Sequence, residues 1–300
     1  MVRGPEVMLD DHLRLKVAGN KLLTNRLLAE WGLRVVRHRP YDITRIEQAS
    51  VFLGELGGPA VVKPSRGSGA GRGVTTGVTT RARLGAASRA AAVVAWDLMI
   101  EEQVPGASLR LLVLGGRVVD AIRRDPPSVV GDGRTGLRGL LDLETARRLE
   151  APDVRALHPL TLDLEARFHL EDQGLAPGTV VAEGRAVRVK SVVNQNASQE
   201  NHSAREDLHP SLIALAEGLA AWLGLELAGI DIITTDPSVP LELSGGVVGE
   251  VNTTPGLHHH YLIAEPDRVV PVAELIIDLL LSARPARVAG AGVVPAGARL

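Results

Sequence analysis

Gly249-Glu250-Val251-Asn252-Thr253-Thr254-Pro255-Gly256-Leu257 decides how this chain folds and what it does. Val247 to Val251 is a short apolar run rich in β-branched residues, too brief for a helix, and it predicts a strand. Glu250 and Asn252 stand two residues apart, so a strand points both to one face. A carboxylate beside a carboxamide offers hard oxygen ligands, suited to Mg²⁺ rather than Zn²⁺. Pro255-Gly256 then turns the chain. The plainer alternative is an edge strand with a solvated polar face. Gly229-Ile230-Asp231-Ile232-Ile233 weighs against it, because a lone acid in an apolar strand is ordinarily paired or metal-bound. If the two strands are neighbours, Asp231, Glu250 and Asn252 converge on one metal.

Working outward, 300 residues with 45% hydrophobic content are enough for one elaborate domain or two small lobes. A net charge of −2 makes no electrostatic case for nucleic acid or an anionic membrane. With no cysteine, disulfides, thiolate metal sites and Cys-His catalysis are excluded. No leader-like segment or long apolar run is evident, so the expectation is a soluble, cytoplasmic protein without membrane contact. Lysine occurs at four positions only, Lys16, Lys21, Lys63 and Lys190, against twenty-nine arginines. Where lysine persists, a compact ammonium is the chemistry to look for.

Residues 1–19 read as an N-terminal extension with little pattern. Asn20 caps a helix over 21–31 that stops at Gly32, 34–37 reads as a strand, and 44–56 as a helix. Pro59 to Pro64 is a short strand carrying Lys63. Ser65 to Gly73 follows, with Gly67, Ser68, Gly69, Gly71 and Gly73; such a loop turns several N–H groups on one anion, or is simply a mobile surface loop. It fits neither the Walker A pattern nor the dinucleotide fingerprint. A helix over 81–95, a strand over 98–104 with Glu101, Glu102 and Val104, and a hairpin of 109–114 with 117–123 about Gly115-Gly116 come next. Residues 135–175 read as helical, 178–193 as a second hairpin about Gly184, and 194–207 as a polar loop over a site or a disordered excursion. A helix over 210–223, the Asp231 strand, a last helix over 271–281 and a flexible tail over 284–300 complete the chain. The pattern is α+β with antiparallel hairpins rather than regular βαβ alternation.

Several of these stretches recur together in one family. Lys-Pro before a Gly-Arg-Gly-Val flap, Arg123-Arg124 before Pro126-Pro127, Val130-Gly131-Asp132-Gly133, Ala228-Gly229-Ile230-Asp231, and Glu250-Val251-Asn252 before Pro255-Gly256-Leu257 resemble, in that order, the ATP-grasp superfamily of carboxylate–amine ligases. The likeness is in particular to the ATP-grasp module of cyanophycin synthetases, over about residues 20–280. It implies an ATP-grasp domain over 20–283, in which two α+β subdomains with antiparallel sheets sandwich ATP, and residues 60–104 form the smaller glycine-flap lobe.

The resemblance further implies that Lys63 contacts the α- and β-phosphates and Lys21 supplies a second phosphate lysine. Glu101 to Val104 form the adenine hinge. Either Glu101 or Glu102 faces inward, with Glu101 favoured. Arg110 and Arg123 reach the transferring phosphoryl group or the substrate carboxylate, and Asn194 is the remaining catalytic candidate. Asp231, Glu250 and Asn252 hold Mg²⁺, two ions by family habit, with Mn²⁺ as a substitute. The reaction implied joins an amino-acid or small-peptide carboxylate to an amine through an acyl phosphate, releasing ADP and phosphate. On that basis Asp231→Asn and Glu250→Gln should abolish turnover and leave the fold intact.

Three departures stand out. Ser108 replaces the family's ribose acid, Lys190 replaces a family arginine, and the paired glycines after Asn194 are missing. The Mur-ligase-like module and long N-terminal region of cyanophycin synthetases have no counterpart in these residues, so the chain is not expected to build cyanophycin by itself. A non-catalytic or partner-dependent ATP-binding module, with a protein supplying a missing N-terminal lobe, is the alternative; a homo-oligomer is also compatible. His258-His259-His260 reads as a solvated loop, a substrate contact or general base, or a metal site, the last disfavoured because successive side chains alternate faces.

Overall fold

The computed structural model describes residues 9–65, 71–150, 159–193 and 195–282, and the backbone of 2–3 and 6–7. Gly67, Ser68, Gly69, Asn194 and the 284–300 tail lie outside those residues. Strands β1 (Val2–Arg3) and β2 (Glu6–Val7) pair with each other, and helices α1 (His12–Ala18) and α2 (Lys21–Glu30) follow. Each helix begins on a side-chain cap: Asp11 accepts from the Leu13 and Arg14 amides, and Asn20 from that of Leu23.

The chain then builds a small lobe from β3 (His38–Asp42), α3 (Ile46–Leu56), β4 (Ala60–Pro64), β5 (Thr75–Val78), α4 (Arg81–Ala92) and β6 (Asp97–Glu102). Its sheet is antiparallel in the order β3-β6-β4-β5. The lobe therefore takes in residues from 38 onward, earlier than the expected start near 60. The expected strand over 34–37 does not form; pairing begins at His38, opposite Glu101. Ala60, Val62, Leu98 and Ile100 point one way and pack under α3 and α4, so by alternation Lys63, Met99 and Glu101 point the other way.

From β6 the chain crosses to a second antiparallel sheet, β11-β8-β7-β12-β13. Its strands are β7 (Ala107–Leu114), β8 (Arg117–Arg124), β11 (Asn201–Ser203), β12 (Leu227–Thr234) and β13 (Val247–Asn252). Gly106 makes the crossing: its φ is +136°, and a Cβ there would lie 2.4 Å from the Thr234 carbonyl oxygen. Helix α7 (Pro210–Leu223) covers one face through Leu212, Ala216 and Leu219, while α9 (Val272–Ser282) reaches the far end of the other face through Val272 and Ile276.

Between β8 and β11 lies an insertion with its own apolar cluster, made of β9 (Ser128–Val130), α5 (Leu137–Glu150), α6 (Leu164–Asp172) and β10 (Ala186–Arg188). The hairpin expected over 178–193 does not form. Only the short β10 is extended, and it pairs with β9 instead, aligning Val187 with Val129 inside that cluster. The polar stretch after 194 is likewise no excursion among its described residues, since Asn201 to Ser203 add β11 to the edge of β8. The short helix α8 (His258–Tyr261) closes the turn after β13. No helix among the described residues is long and apolar enough to cross a membrane.

Candidate active site

The two sheets face each other across a cleft lined by Lys21, Thr24, Asn25, Lys63, Met99, Gly249 and Glu250. On the small-lobe side, Lys63 Nζ donates to Glu101 Oε1 at 2.6 Å. Glu101 Oε2 is buried and accepts no hydrogen bond. An orphaned carboxylate oxygen at this depth is costly unless something donates to it. Glu102, one residue on, is turned to the opposite side and held by Arg34 at 3.2 Å and Arg37 at 3.1 Å. So Glu101 faces the cleft. Val104 lies in the coil between β6 and β7, where the Gln103 side chain accepts from the Gly77 amide at 2.8 Å and ties the hinge to β5. Gly71 and Gly73 both have positive φ, and a Cβ at Gly73 would press on Pro64 at 3.1 Å.

On the large-sheet side, Asp231 is paired across β12 and β13 with Glu250, and across β12 and β7 with Arg110. Cross-strand partners share a face, so these three side chains are gathered by register alone. Asn252, two residues past Glu250, aligns with Gly229 on the same face. Arg110 grips Asp231 in a fork of 2.8 and 2.9 Å. Arg124 adds a third bond to Asp231 at 2.9 Å and another to Ser108 Oγ at 2.8 Å. Ser108 thus serves as a guanidinium acceptor where the resemblance led one to look for a ribose acid. Lys21 Nζ reaches Glu250 Oε1 at 2.8 Å, bringing the N-terminal helix pair onto β13.

Electrostatics follow from this packing. Burial alone would push the Asp231 carboxyl up, but the guanidinium groups of Arg110 and Arg124 hold it well below the usual carboxylate range. Burial opposes the charge on Arg110, and Asp231 and Glu250 more than restore it. For Arg124 burial wins, with Arg110 adding to it, and its guanidinium is pressed below its ordinary value. Asp231 is therefore the counter-charge of two buried arginines as well as a candidate ligand, and its replacement cannot be neutral to the fold.

Arg124, rather than Arg123, stands in this cluster. Arg123 is on the other face, 42% exposed and paired with Asp125 at 3.2 Å. The reason is a bulge. Counting back from Gly115-Gly116 in a regular two-residue hairpin sets Arg123 opposite Ser108, but the register shifts between Leu112 and Val113, and Ser108 faces Arg124. A slip of one residue exchanges the faces of all that follows. The sequence signal was present in the Arg123-Arg124 pair, and the turn was not enough to choose between its members. Lys190 is far from exposed chemistry: its side chain is 1% accessible and bonded to Asp163 and Thr161 within the insertion.

Of the expected ligands, Glu250 and Asn252 keep an oxygen open to a hard divalent cation, while both Asp231 oxygens already accept from the two arginines. Glu250 is 40% exposed to the cleft, and the Asn252 amide donates at 3.4 Å to the Gly229 carbonyl, leaving Oδ1 to accept. Among the described residues no three of His, Cys, Asp and Glu gather into a metal site, the triple histidine included. His260 is instead committed to Asp120 at 2.6 Å.

No family model matches the chain. It is 31% identical over 273 residues to a cyanophycin synthetase of Trichormus variabilis, a match covering 89% of this chain and 30% of that protein. The chain thus spans about a third of the length of the curated relatives it matches. Among solved structures, a bifunctional glutathione synthetase from Pasteurella multocida superposes with a TM-score of 0.56 at 23% identity, over 94% of this chain and 38% of that one. A D-alanine–D-alanine ligase from Bacillus anthracis gives 0.53 at 12% identity, over 91% and 69%. Together with the two facing antiparallel sheets, these likenesses show the ATP-grasp fold.

Proposed function

We propose that this ATP-grasp protein is an ATP-dependent ligase that joins a small carboxylate to an amine through an acyl phosphate, with release of ADP and phosphate. The observation that carries the proposal is the single row of polar side chains along one sheet face, running from the hinge to the Pro255 turn: Ser108 with Arg124, Arg110 with Asp231 and Glu250, then Asn252. Similarity to a cyanophycin synthetase along 89% of the chain supports the same class.

At the hinge, the orphaned Glu101 Oε2 suits the amino group of a purine, and the backbone of 102–104 suits its ring edge. Lys63, Lys21 and the glycines near 71–73 suit the phosphates, since an ammonium follows a moving phosphoryl group without fixed geometry. Both lysines are at present ion-paired, with Glu101 and Glu250, so an incoming polyanion exchanges one partner for another rather than meeting bare charge. Arg110 and Arg124 suit the negative charge that develops on the transferring phosphoryl group and on the substrate carboxylate. Glu250 and Asn252 are the residues that would hold Mg²⁺, which when bound neutralises phosphate charge. An acyl phosphate is open to hydrolysis, so the reaction requires water to be kept from the cleft. The substrate carboxylate oxygen then takes the γ-phosphoryl group, and the amine displaces phosphate to leave an amide.

The test is a coupled assay for ADP over a matrix of amino acids, dipeptides and amines. Release of ADP and phosphate that requires an acid and an amine together is the expected result. Release of AMP and pyrophosphate, or ATP binding with no turnover across the matrix, would remove the proposal.

A further inference from the structure

The phosphoryl-transfer chemistry above makes no use of His258-His259-His260, yet a buried hydrogen-bonded pair fixes that run in place. His260 Nδ1 lies 2.6 Å from Asp120 Oδ2, with the side chains 0% and 4% exposed and 140 residues apart in sequence. Asp120 is on β8 and aligns with Leu112 on β7, so it stands beyond Arg110 on the side away from the hinge. The pair therefore pins α8 to the far end of the polar row. His260 Nε2 is buried as well and has no hydrogen-bond partner.

The turn after β13 packs against Arg110 at Pro255, four residues before the neighbouring histidine. A Cβ at Gly229 would lie 2.9 Å from Pro255 Cβ and 3.5 Å from Arg110 Cδ, so Pro255 and Arg110 meet over that glycine. The His258 and His259 rings are 4.0 Å apart, one against the other. Burial, and then the charges of His258, Arg110 and Arg124, push the His259 imidazole down to about 2, so it is neutral. The segment is also stitched to the polar stretch after 194. Asn201 Nδ2 donates to the Leu262 carbonyl at 2.8 Å, the Ala264 amide to the Asn201 carbonyl at 2.8 Å, and His202 pairs with Glu265 at 2.8 Å.

We infer that His259 contacts the incoming amine at the end of the cleft remote from the hinge, and that Asp120 and His260 are positioning residues for it. The ligand class is a primary amine presented to the acyl phosphate, and the inference rests on the ligase reading above. A nucleotide seated at the hinge directs its terminal phosphate along the row toward this end, so the second nucleophile has to arrive beyond Arg110. A neutral imidazole offers a lone pair to an amine N–H without adding a third positive charge beside the guanidiniums.

The experiment has two arms. In the first, ADP release is followed with hydroxylamine as the amine and a mixture of amino acids as the acids. His259→Ala should raise the hydroxylamine KM about tenfold, as the loss of one hydrogen bond implies, with the ATP KM unmoved. His259→Gln, which restores an acceptor, should recover most of the loss, and Asp120→Asn should reproduce it in part. Equal changes in both KM values, or none, would overturn the inference. The second arm needs no turnover. In protein labelled with ¹⁵N-histidine, hydroxylamine added with magnesium and a non-hydrolysable ATP analogue should shift the His259 ring nitrogens, identified by their absence in His259→Gln. A response confined to His202 or His209, or no response, would also overturn it. A wild-type protein silent in the first arm over every acid sinks the ligase reading, and the second arm then decides this one separately.

Discussion

Replacing Asp231 by asparagine should cost far more stability than replacing Glu250 by glutamine, although both sit on one face of the same strand pair. Asp231 accepts bonds of 2.8, 2.9 and 2.9 Å from Arg110 and Arg124, whose side chains are 9% and 8% exposed. An asparagine keeps one acceptor oxygen and turns an NH₂ toward a guanidinium, so at least one charge-assisted bond becomes a donor–donor contact and two buried cations lose their counter-charge. Removing one partner of a buried pair costs about 3–5 kcal/mol. Glu250 makes one ion pair at 2.8 Å with Lys21 and is 40% exposed, so its contribution is screened. For such a pair about 0–1 kcal/mol is expected. Urea denaturation of the metal-free protein, followed by far-UV circular dichroism, reads both numbers, provided the m-values of the two variants agree. A gap of about 3 kcal/mol is predicted. Two variants within about 0.5 kcal/mol of each other would mean that Asp231 is not the counter-charge of the arginine pair, and the account of the site would have to be redrawn.

Other expectations follow from single contacts. Arg124→Gln should reduce turnover at least about a hundredfold, whereas Arg123→Gln, on the opposite face, should stay within about threefold of wild type; a reversed order would contradict the bulged register. Tyr41 and Ser88 share a buried bond of 2.7 Å, and burial raises the phenol to about 12. Because the folded value lies above the ordinary 10.0, that contribution is full below pH 10 and is lost as pH rises toward 12; Tyr41→Phe should flatten this part of the alkaline stability curve and cost about 1 kcal/mol near neutrality. Thr76 donates to the buried Glu165 at 2.9 Å, and Ser191 donates to the same oxygen at 2.9 Å, so β5 is fastened to the insertion. Thr76→Val should loosen that fastening and speed amide hydrogen exchange in β5; unchanged exchange there would show that the bond does not restrain the strand.

Much of this was legible in the sequence, for reasons that differ by residue. The Glu250/Asn252 spacing and the lone acid at 231 are period-2 statements, and strands preserve period 2 whatever their surroundings. Asn20 and the Gly115-Gly116 turn are local chemistry, fixed by the residues themselves. What could not be read is whatever depends on distant packing. The bulge at Leu112/Val113 changes which arginine enters the cluster, and no pattern in the hairpin announces it. Lys190 pairs with Asp163 inside the insertion, a partner that nothing beside it in the sequence announces. The 178–193 stretch alternates well enough to suggest a hairpin, yet the insertion's core takes Val187 and Val189 against α5 and α6 instead. The Asp120–His260 pair joins residues 140 positions apart and leaves no mark at either end.

The central claim concerns the route of one oxygen atom. With an acid substrate found in the matrix screen and labelled with ¹⁸O in its carboxylate, an acyl-phosphate route transfers one labelled oxygen to the phosphate released. Mass spectrometry of the products should therefore find singly labelled phosphate in step with amide formation and none of the label in the nucleotide. Label appearing in AMP, or phosphate free of label while amide accumulates, would contradict it.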